Sequence, residues 1–348
     1  FAGWYCLIYI GVTTVTTYLA ARKVGDLQRE QDQWLKEHRA ELDKDQRKAY
    51  KAAGKKLRWR WTLACLLLNF GILAVVKYTD FVLSNVNGVL TAAGSAAQLP
   101  MADLVLPMGI SFYTFQSMGY LIDVYNGKYA PEKNPARFAL FVSFFPQLIQ
   151  GPIARFDQLA HQLYEPHRFD LGNIERGALL ILWGFFKKKV IADRALPLVE
   201  QVFGSQSQYG GAVIVVGVLF YSLQQYTDFS GGIDMVTGIA QLFGIELAPN
   251  FRRPYFSVSL GDFWRRWHIS LGGWMRDYVF YPFALTKPMA RMSKSLKKHI
   301  HPQVARALPA ALGNVLVFLL VGIWHGAQMN YVLWGLYNGL ILAFTSLV

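Results

Sequence analysis

Apolar stretches close to bilayer-spanning length recur along the chain, and no other feature of the sequence restricts the fold so severely. A spanning helix takes about 20 mostly apolar residues. The runs Trp4 to Ala21, Trp61 to Leu83 and Leu104 to Val124 meet or approach that length. Further candidates run from Phe138 to Ile153, Gly177 to Ala195, Ala212 to Phe229, Ile233 to Leu247, Leu312 to Trp324 and Tyr331 to Leu347. Several are too short or too polar to face lipid alone, which predicts helices buried among helices, interfacial helices, or re-entrant pieces lining a cavity. Hydrocarbon offers the backbone no hydrogen bonds, so the expected fold is all-α, a polytopic transmembrane helical bundle.

Of 348 residues, 53% are hydrophobic and only 16% charged, too apolar a balance for a soluble domain of this size. The apolar runs leave no water-soluble half to separate, so residues 1–348 are read as one membrane domain. The formal charge of +13 would suggest nucleic acid in a soluble protein. Here the basic residues cluster beside apolar spans, as the positive-inside rule requires, and no nucleic-acid partner is expected. Arg22-Lys23, Lys55-Lys56-Leu57-Arg58 and Lys187-Lys188-Lys189 are expected at the cytoplasmic face, drawn to anionic headgroups. Residues 22–60 form a charged stretch that reads as a cytoplasmic helical hairpin or arm. The loop from Thr286 to Pro302 falls on the same side by the same rule. Cys6 and Cys65 each lie in an apolar run and read as small buried hydrophobes. The chain starts at Phe1 and ends at Val348 inside an apolar run, so truncation at both ends is expected. No internal repeat is visible.

Two of the seven histidines stand apart. His325 follows the apolar run Val315 to Trp324, which places it at membrane depth or near an interface. It reads either as a functional group or as a neutral imidazole bonded to a neighbouring helix. His268 lies in a segment where Phe263, Trp267, Leu271 and Trp274 recur at helical spacing, beside Arg265, Arg266 and Arg276. That pattern suits an interfacial helix, or a site for a phosphate or carboxylate. Gln224, Gln225, Asp228 and Asp234 sit in apolar surroundings and require a partner such as an arginine, or water. They fit a buried polar clamp as well as a catalytic role. No His-Glu-x-x-His pattern occurs, and no metal site is expected. Gly, Pro and Gln within Pro107 to Tyr120 and Phe144 to Phe156 suggest broken helices, as in acyltransferases or transporters.

Three stretches together resemble the membrane-bound O-acyltransferase family: FPQLIQGPIARF at 145–156, NFRRPYFSVSLGDFWRRWHISLGGWMRDYVFY at 250–281, and VGIWHGAQMNYVLWGLYNGL at 321–340. Within it the wording is similar to bacterial alginate-type polysaccharide O-acetyltransferases, with teichoic acid D-alanyl transferases as the alternative. The resemblance implies a bundle around a central tunnel, in a multi-pass protein of the bacterial cell membrane. It implies transfer of an acyl group, acetyl by preference, from a cytoplasmic thioester donor to a hydroxyl of a cell-surface polysaccharide or a partner carrier. It marks His325 as catalytic, acting as general base, and His268 as a second functional residue that positions the donor or assists proton transfer. Candidate substrate-binding residues are Arg265, Arg266, Trp267, Trp324, Gln225 and Asp228. No bound cofactor is implied, since acetyl-CoA or an acyl carrier protein enters as substrate. An extracytoplasmic acetyltransferase or the polysaccharide acceptor is the implied partner on the other side. A secondary transporter and a silent scaffold for cell-wall assembly are the rivals from other classes.

Overall fold

A computed structural model describes residues 3–347. Among them there is no β-strand, and the only extended pairing is an isolated bridge between Phe251 and Trp267. The described chain divides into two compact units, residues 3–142 with 272–347 and residues 143–271.

The first unit begins with two helices that each join an apolar half to a charged half: α1 (Tyr5–Glu37) and α2 (Lys44–Ala92). At 49 residues α2 is roughly 70 Å long. The turn between them, at residues 38–43, ends in a reciprocal cap, where Asp43 and Gln46 bond each other's backbone N–H. Trp34 stacks on His38 and Tyr50, and Gln31 donates to the Tyr50 carbonyl at 2.7 Å. Residues 22–60 are thus helical on both sides of one turn. In the apolar halves the seam is polar, with buried Thr13, Thr17, Thr62 and Asn69, and Asn69 donates to Thr16 Oγ1 at 3.1 Å. Cys65 is buried there and Cys6 half-buried, both as free thiols.

The run expected from Leu104 begins its helix only at Ile110. Pro107 and Gly109, the latter at φ +76°, break the backbone before α3 (Ile110–Tyr125). This helix is buried almost all round, which explains its aromatic, nearly uncharged sequence. The unit continues with α4 (Pro135–Ser143).

In the second unit the expected run Phe138 to Ile153 is not one helix. It breaks at Phe144, resumes as the single turn α5 (Phe145–Leu148), and leaves residues 150–155 non-helical. Then come α6 (Phe156–Tyr164), α7 (Leu171–Phe185), a π-helical segment (Phe186–Ala192) and α8 (Asp193–Gly204), the last three continuous. The stretches read separately as Ala212 to Phe229 and Ile233 to Leu247 are joined in one helix, α9 (Gly211–Leu242), which stops before the second stretch ends, with Gly244 at φ +74°. The intervening Ser230-Gly231-Gly232 is buried, Gly232 against the Gln150 side chain, while Gly231 and Gly238 approach the α7 carbonyls of Gly184 and Gly177. Helix–helix contact, not a turn, is what those glycines serve. The unit closes with α10 (Leu260–Arg266) and the start of α11 (Ile269–Met275).

Back in the first unit, a π-helical turn (Arg276–Phe280), α12 (Tyr281–Ala284) and α13 (Lys287–Leu296) precede α14 (Pro302–His325) and α15 (Met329–Leu347). Gly322, Gly335 and Gly339 let the α14 and α15 backbones touch, since a Cβ on Gly335 would overlap the Phe318 carbonyl. Among the described residues, two helices, α2 and α14, are long and apolar enough to cross a membrane. Rows of exposed Leu and Val on α2, among them Leu67, Val75, Val82 and Val89, face outward.

Candidate functional site

His325 is the last residue of α14, where the helix gives way to extended Gly326. The residue as a whole is exposed, while its ring is set among aromatics. Trp324 lies 4.9 Å away edge-on, Trp334 5.5 Å away at right angles, and Tyr331 stacks at 6.4 Å. Gly326 makes this possible, because a Cβ there would overlap the Tyr331 ring. Behind the cage, Phe112 and Phe115 of α3 lie 5.9 and 6.0 Å from the Trp324 ring. Phe115 stacks on Trp274 at 4.3 Å, and its carbonyl accepts the Trp274 indole N–H. The rigid α3 wall thus fixes one side of the site.

Lys77 and Tyr78, adjacent on α2, both reach the end of α14. The Tyr78 hydroxyl donates to the Ile323 carbonyl at 2.7 Å and the Lys77 ammonium to the Trp324 carbonyl. The ammonium also lies 5.7 Å from the centre of the Trp324 ring. Neither residue is singled out by motif, although Lys77 is a lone cation inside the apolar run Trp61 to Leu83.

His268 lies in the second unit and is 4% exposed. Helical periodicity fails here: α10 stops at Arg266, and His268 takes a left-handed backbone at φ +47° before α11 starts. The segment at Asn250 intrudes and takes over the backbone bonds. Arg252 N–H donates to the Arg266 carbonyl at 2.9 Å and Ile269 N–H to the Asn250 carbonyl at 3.0 Å. The buried Asn250 Oδ1 then gathers three donors: His268 Nδ1 at 3.2 Å, Ser270 N–H at 3.0 Å and Ser270 Oγ at 2.9 Å. Placing the proton on Nδ1 makes Nε2 the basic nitrogen of the ring. Phe229 packs edge-on against the imidazole at 4.8 Å.

Trp267 sits in a cluster with Tyr226, Phe251 and Phe263, stacked on Phe263 at 5.5 Å. Arg265 and Arg266 both bond Asp262, at 3.4 and 2.9 Å. The Arg266 guanidinium holds the Asp262 carboxyl below the usual carboxylate range. The two arginines therefore present one net positive charge rather than two.

Asp228 and Asp234 do have charged partners, but these are lysines. Lys187 is buried, bonds Asp234 at 2.5 Å and Ser230 at 3.0 Å, and lies over the Tyr226 ring. Lys188 pairs with Asp228 and with Asp193. This corrects the expectation that the lysines face headgroups for two of the three: Lys187 and Lys188 turn toward the carboxylates of α9 from the π-helical segment, whereas Lys189 stays exposed. Gln224 is buried beside them, whereas Gln225 points outward and is exposed.

The structure thus groups His325 with Trp324, and His268 with Trp267. Arg265 and Arg266 gather on Asp262, and Asp228 joins the lysine network. A cleft of about 220 Å³ lies elsewhere in the first unit, lined by Arg22, Gln28, Tyr129 and Lys133, and holds none of these residues. Asn250, Tyr331 and Trp334 were missed as site residues, although all three lie inside the motif stretches.

Among the described residues the fold is all-helical, two helices are long and apolar enough to cross a membrane, and His325 ends one of them. The chain belongs to the membrane-bound O-acyltransferase family, whose model matches residues 132–348. It is 37% identical to the probable alginate O-acetylase of Pseudomonas syringae pv. tomato over 83% of this chain and 52% of that protein. To the peptidoglycan O-acetyltransferase of Helicobacter pylori it is 34% identical over 81% of this chain and 54% of that protein. The teichoic acid D-alanyltransferase of Bacillus subtilis is 29% identical over 70% of this chain and 60% of the relative. The chain spans about half the length of the first two relatives.

Proposed function

We propose that this protein is a multi-pass O-acyltransferase of the bacterial cell membrane that moves an acetyl group from a thioester donor to a hydroxyl of a cell-surface polysaccharide. The observation that carries it is the accessible His325 at the end of an apolar helix, inside a cage of Trp324, Tyr331 and Trp334. In the transfer, the imidazole of His325 takes the proton of the acceptor hydroxyl as that oxygen attacks the thioester carbonyl. The tetrahedral adduct collapses, the C–S bond breaks, and the thiolate leaves and recovers a proton. No Ser or Cys nucleophile is needed for such direct transfer. Trp324 and the other rings give the acyl chain apolar walls.

His268, locked by Asn250, positions the donor or relays its proton. Arg265, Arg266 and Trp267 serve the donor's anionic parts and Asp228, held by Lys188, lines the path, whereas the exposed Gln225 has no part in it. The donor, acetyl-CoA or an acyl carrier protein, approaches from the cytoplasmic side through a tunnel enclosed by the helices. The acceptor is the polysaccharide itself or a partner acetyltransferase outside the membrane.

The test is to express the full-length protein and its His325→Ala variant at matched levels in a strain lacking the native gene, then to quantify esters on surface polymers. Acetyl esters that appear with the parent and vanish with the variant are the expected result. D-alanyl esters in their place would move the assignment to teichoic acid modification, as the Bacillus subtilis relative's name suggests. Equal ester content in both strains would remove His325 as base and favour a transporter or scaffold.

A further inference from the structure

An α-helix leaves its last four carbonyls without helical partners. At the end of α14, closure from within the chain is weak, because Gly326 is extended (φ −170°, ψ 154°) instead of left-handed. Two of the four orphan carbonyls, on Ile323 and Trp324, are instead capped from another helix by Tyr78 and Lys77. These partners lie 245 and 247 residues away in sequence, so the cap is a tertiary feature. The cap carries a charge as well. An ammonium at a helix C-terminus is favourable against the helix dipole, and its contact with the Trp324 ring adds a second hold on the same residue. A lysine in an apolar spanning helix is costly, which makes its use here more than incidental.

We propose that Lys77, with Tyr78, is a positioning pair for His325. By clamping the two carbonyls that precede it and the Trp324 ring that flanks it, the pair sets the direction in which the imidazole leaves α14. This rests on the role of His325 as base. Lys77 touches no reacting atom in this scheme and acts only through α14. Both residues lie outside the stretch matched by the family model.

The experiment uses the full-length protein with Lys77→Met, Lys77→Arg, Tyr78→Phe and His325→Ala variants, with two readouts. The first is the rate at which diethyl pyrocarbonate modifies His325 in membranes, followed by mass spectrometry. The second is surface ester content at matched protein level. Lys77→Met is expected to raise the modification rate about threefold or more, because a frayed helix end exposes the ring. It is also expected to lower ester formation about ten- to a hundredfold. Lys77→Arg, which keeps a cationic donor, recovers most of both, whereas a packing role for the lysine stem alone would not favour Arg over Met. Tyr78→Phe shows a smaller change in the same direction. An unchanged modification rate in Lys77→Met overturns the inference whatever the esters do. So does a changed rate with full ester content. If His325→Ala keeps its esters, the proposed function fails instead, and the modification rates still decide whether Lys77 positions the ring.

Discussion

Asn250 concentrates more of the local order than any charged residue near it. One buried amide oxygen receives His268, the Ser270 backbone and the Ser270 hydroxyl, and Ser270 Oγ in turn accepts the Ile153 N–H at 3.0 Å. Removing the acceptor leaves several buried donors without a partner, each costly in a site that water does not reach. Asn250→Ala is therefore expected to destabilise the protein by about 2–4 kcal/mol, read as a lowered thermal midpoint in detergent. Asn250→Asp, which keeps the oxygen, should lose much less. Equal losses would show that volume, not the shared acceptor, matters at this position. The sequence pointed to His268 but not to Asn250, because an asparagine preceding Phe-Arg-Arg has no periodicity or motif of its own. The bond that matters to it spans 18 residues.

Among the helices, α14 and α15 depend on glycine to approach closely, and the apolar half of α2 does not. A Cβ on Gly335 would meet the backbone of the neighbouring helix, while one on Gly71 meets nothing within 4 Å. Gly335→Ala is expected to destabilise by about 1–3 kcal/mol through overpacking. Gly71→Ala should be neutral or stabilising by up to about 1 kcal/mol, since alanine is the better helix former. Thermal midpoints of the two variants, measured side by side, check the pair, and matching shifts would refute the close-contact account. Composition and apolar run length disclosed that these segments are helices. They did not disclose that the helix of Ala212 to Phe229 runs on to Leu242, because Ser230-Gly231-Gly232 looks like a turn in one dimension and is a packing surface in three. Leu104 to Ile110 failed in the opposite sense, where apolar content promised a helix that Pro107 and Gly109 forbid.

For the whole molecule, the all-α class and the family were legible from the start, because long apolar runs admit few folds and the three motif stretches are specific. The sequence did not reveal the division into two units at residues 142/143 and 271/272, because the first boundary falls within α4, the second inside a motif stretch, and neither follows a linker. It also did not reveal that Lys187 and Lys188 pair with Asp234 and Asp228, since the positive-inside rule counts charges without knowing which find carboxylates. Orientation remains a matter for labelling. With Cys6 and Cys65 replaced by alanine, a Glu41→Cys variant in the turn between α1 and α2 is expected to resist a membrane-impermeant maleimide in intact cells and to react after lysis. Labelling in intact cells would invert the assignment of the charged hairpin. The π-helical segment between α7 and α8 has a consequence of its own for how this chain tolerates insertions and deletions. A π-helical turn holds about one residue more than an α-helical one, so deleting one residue there would leave every apolar residue in place along the sequence, let the segment close as ordinary α-helix, and turn the lysines away from their carboxylates. The wide turn acts as a spacer that keeps Lys187 and Lys188 in phase with Asp234 and Asp228. A frame-preserving loss of one codon in this stretch would be as damaging as removing the charges themselves.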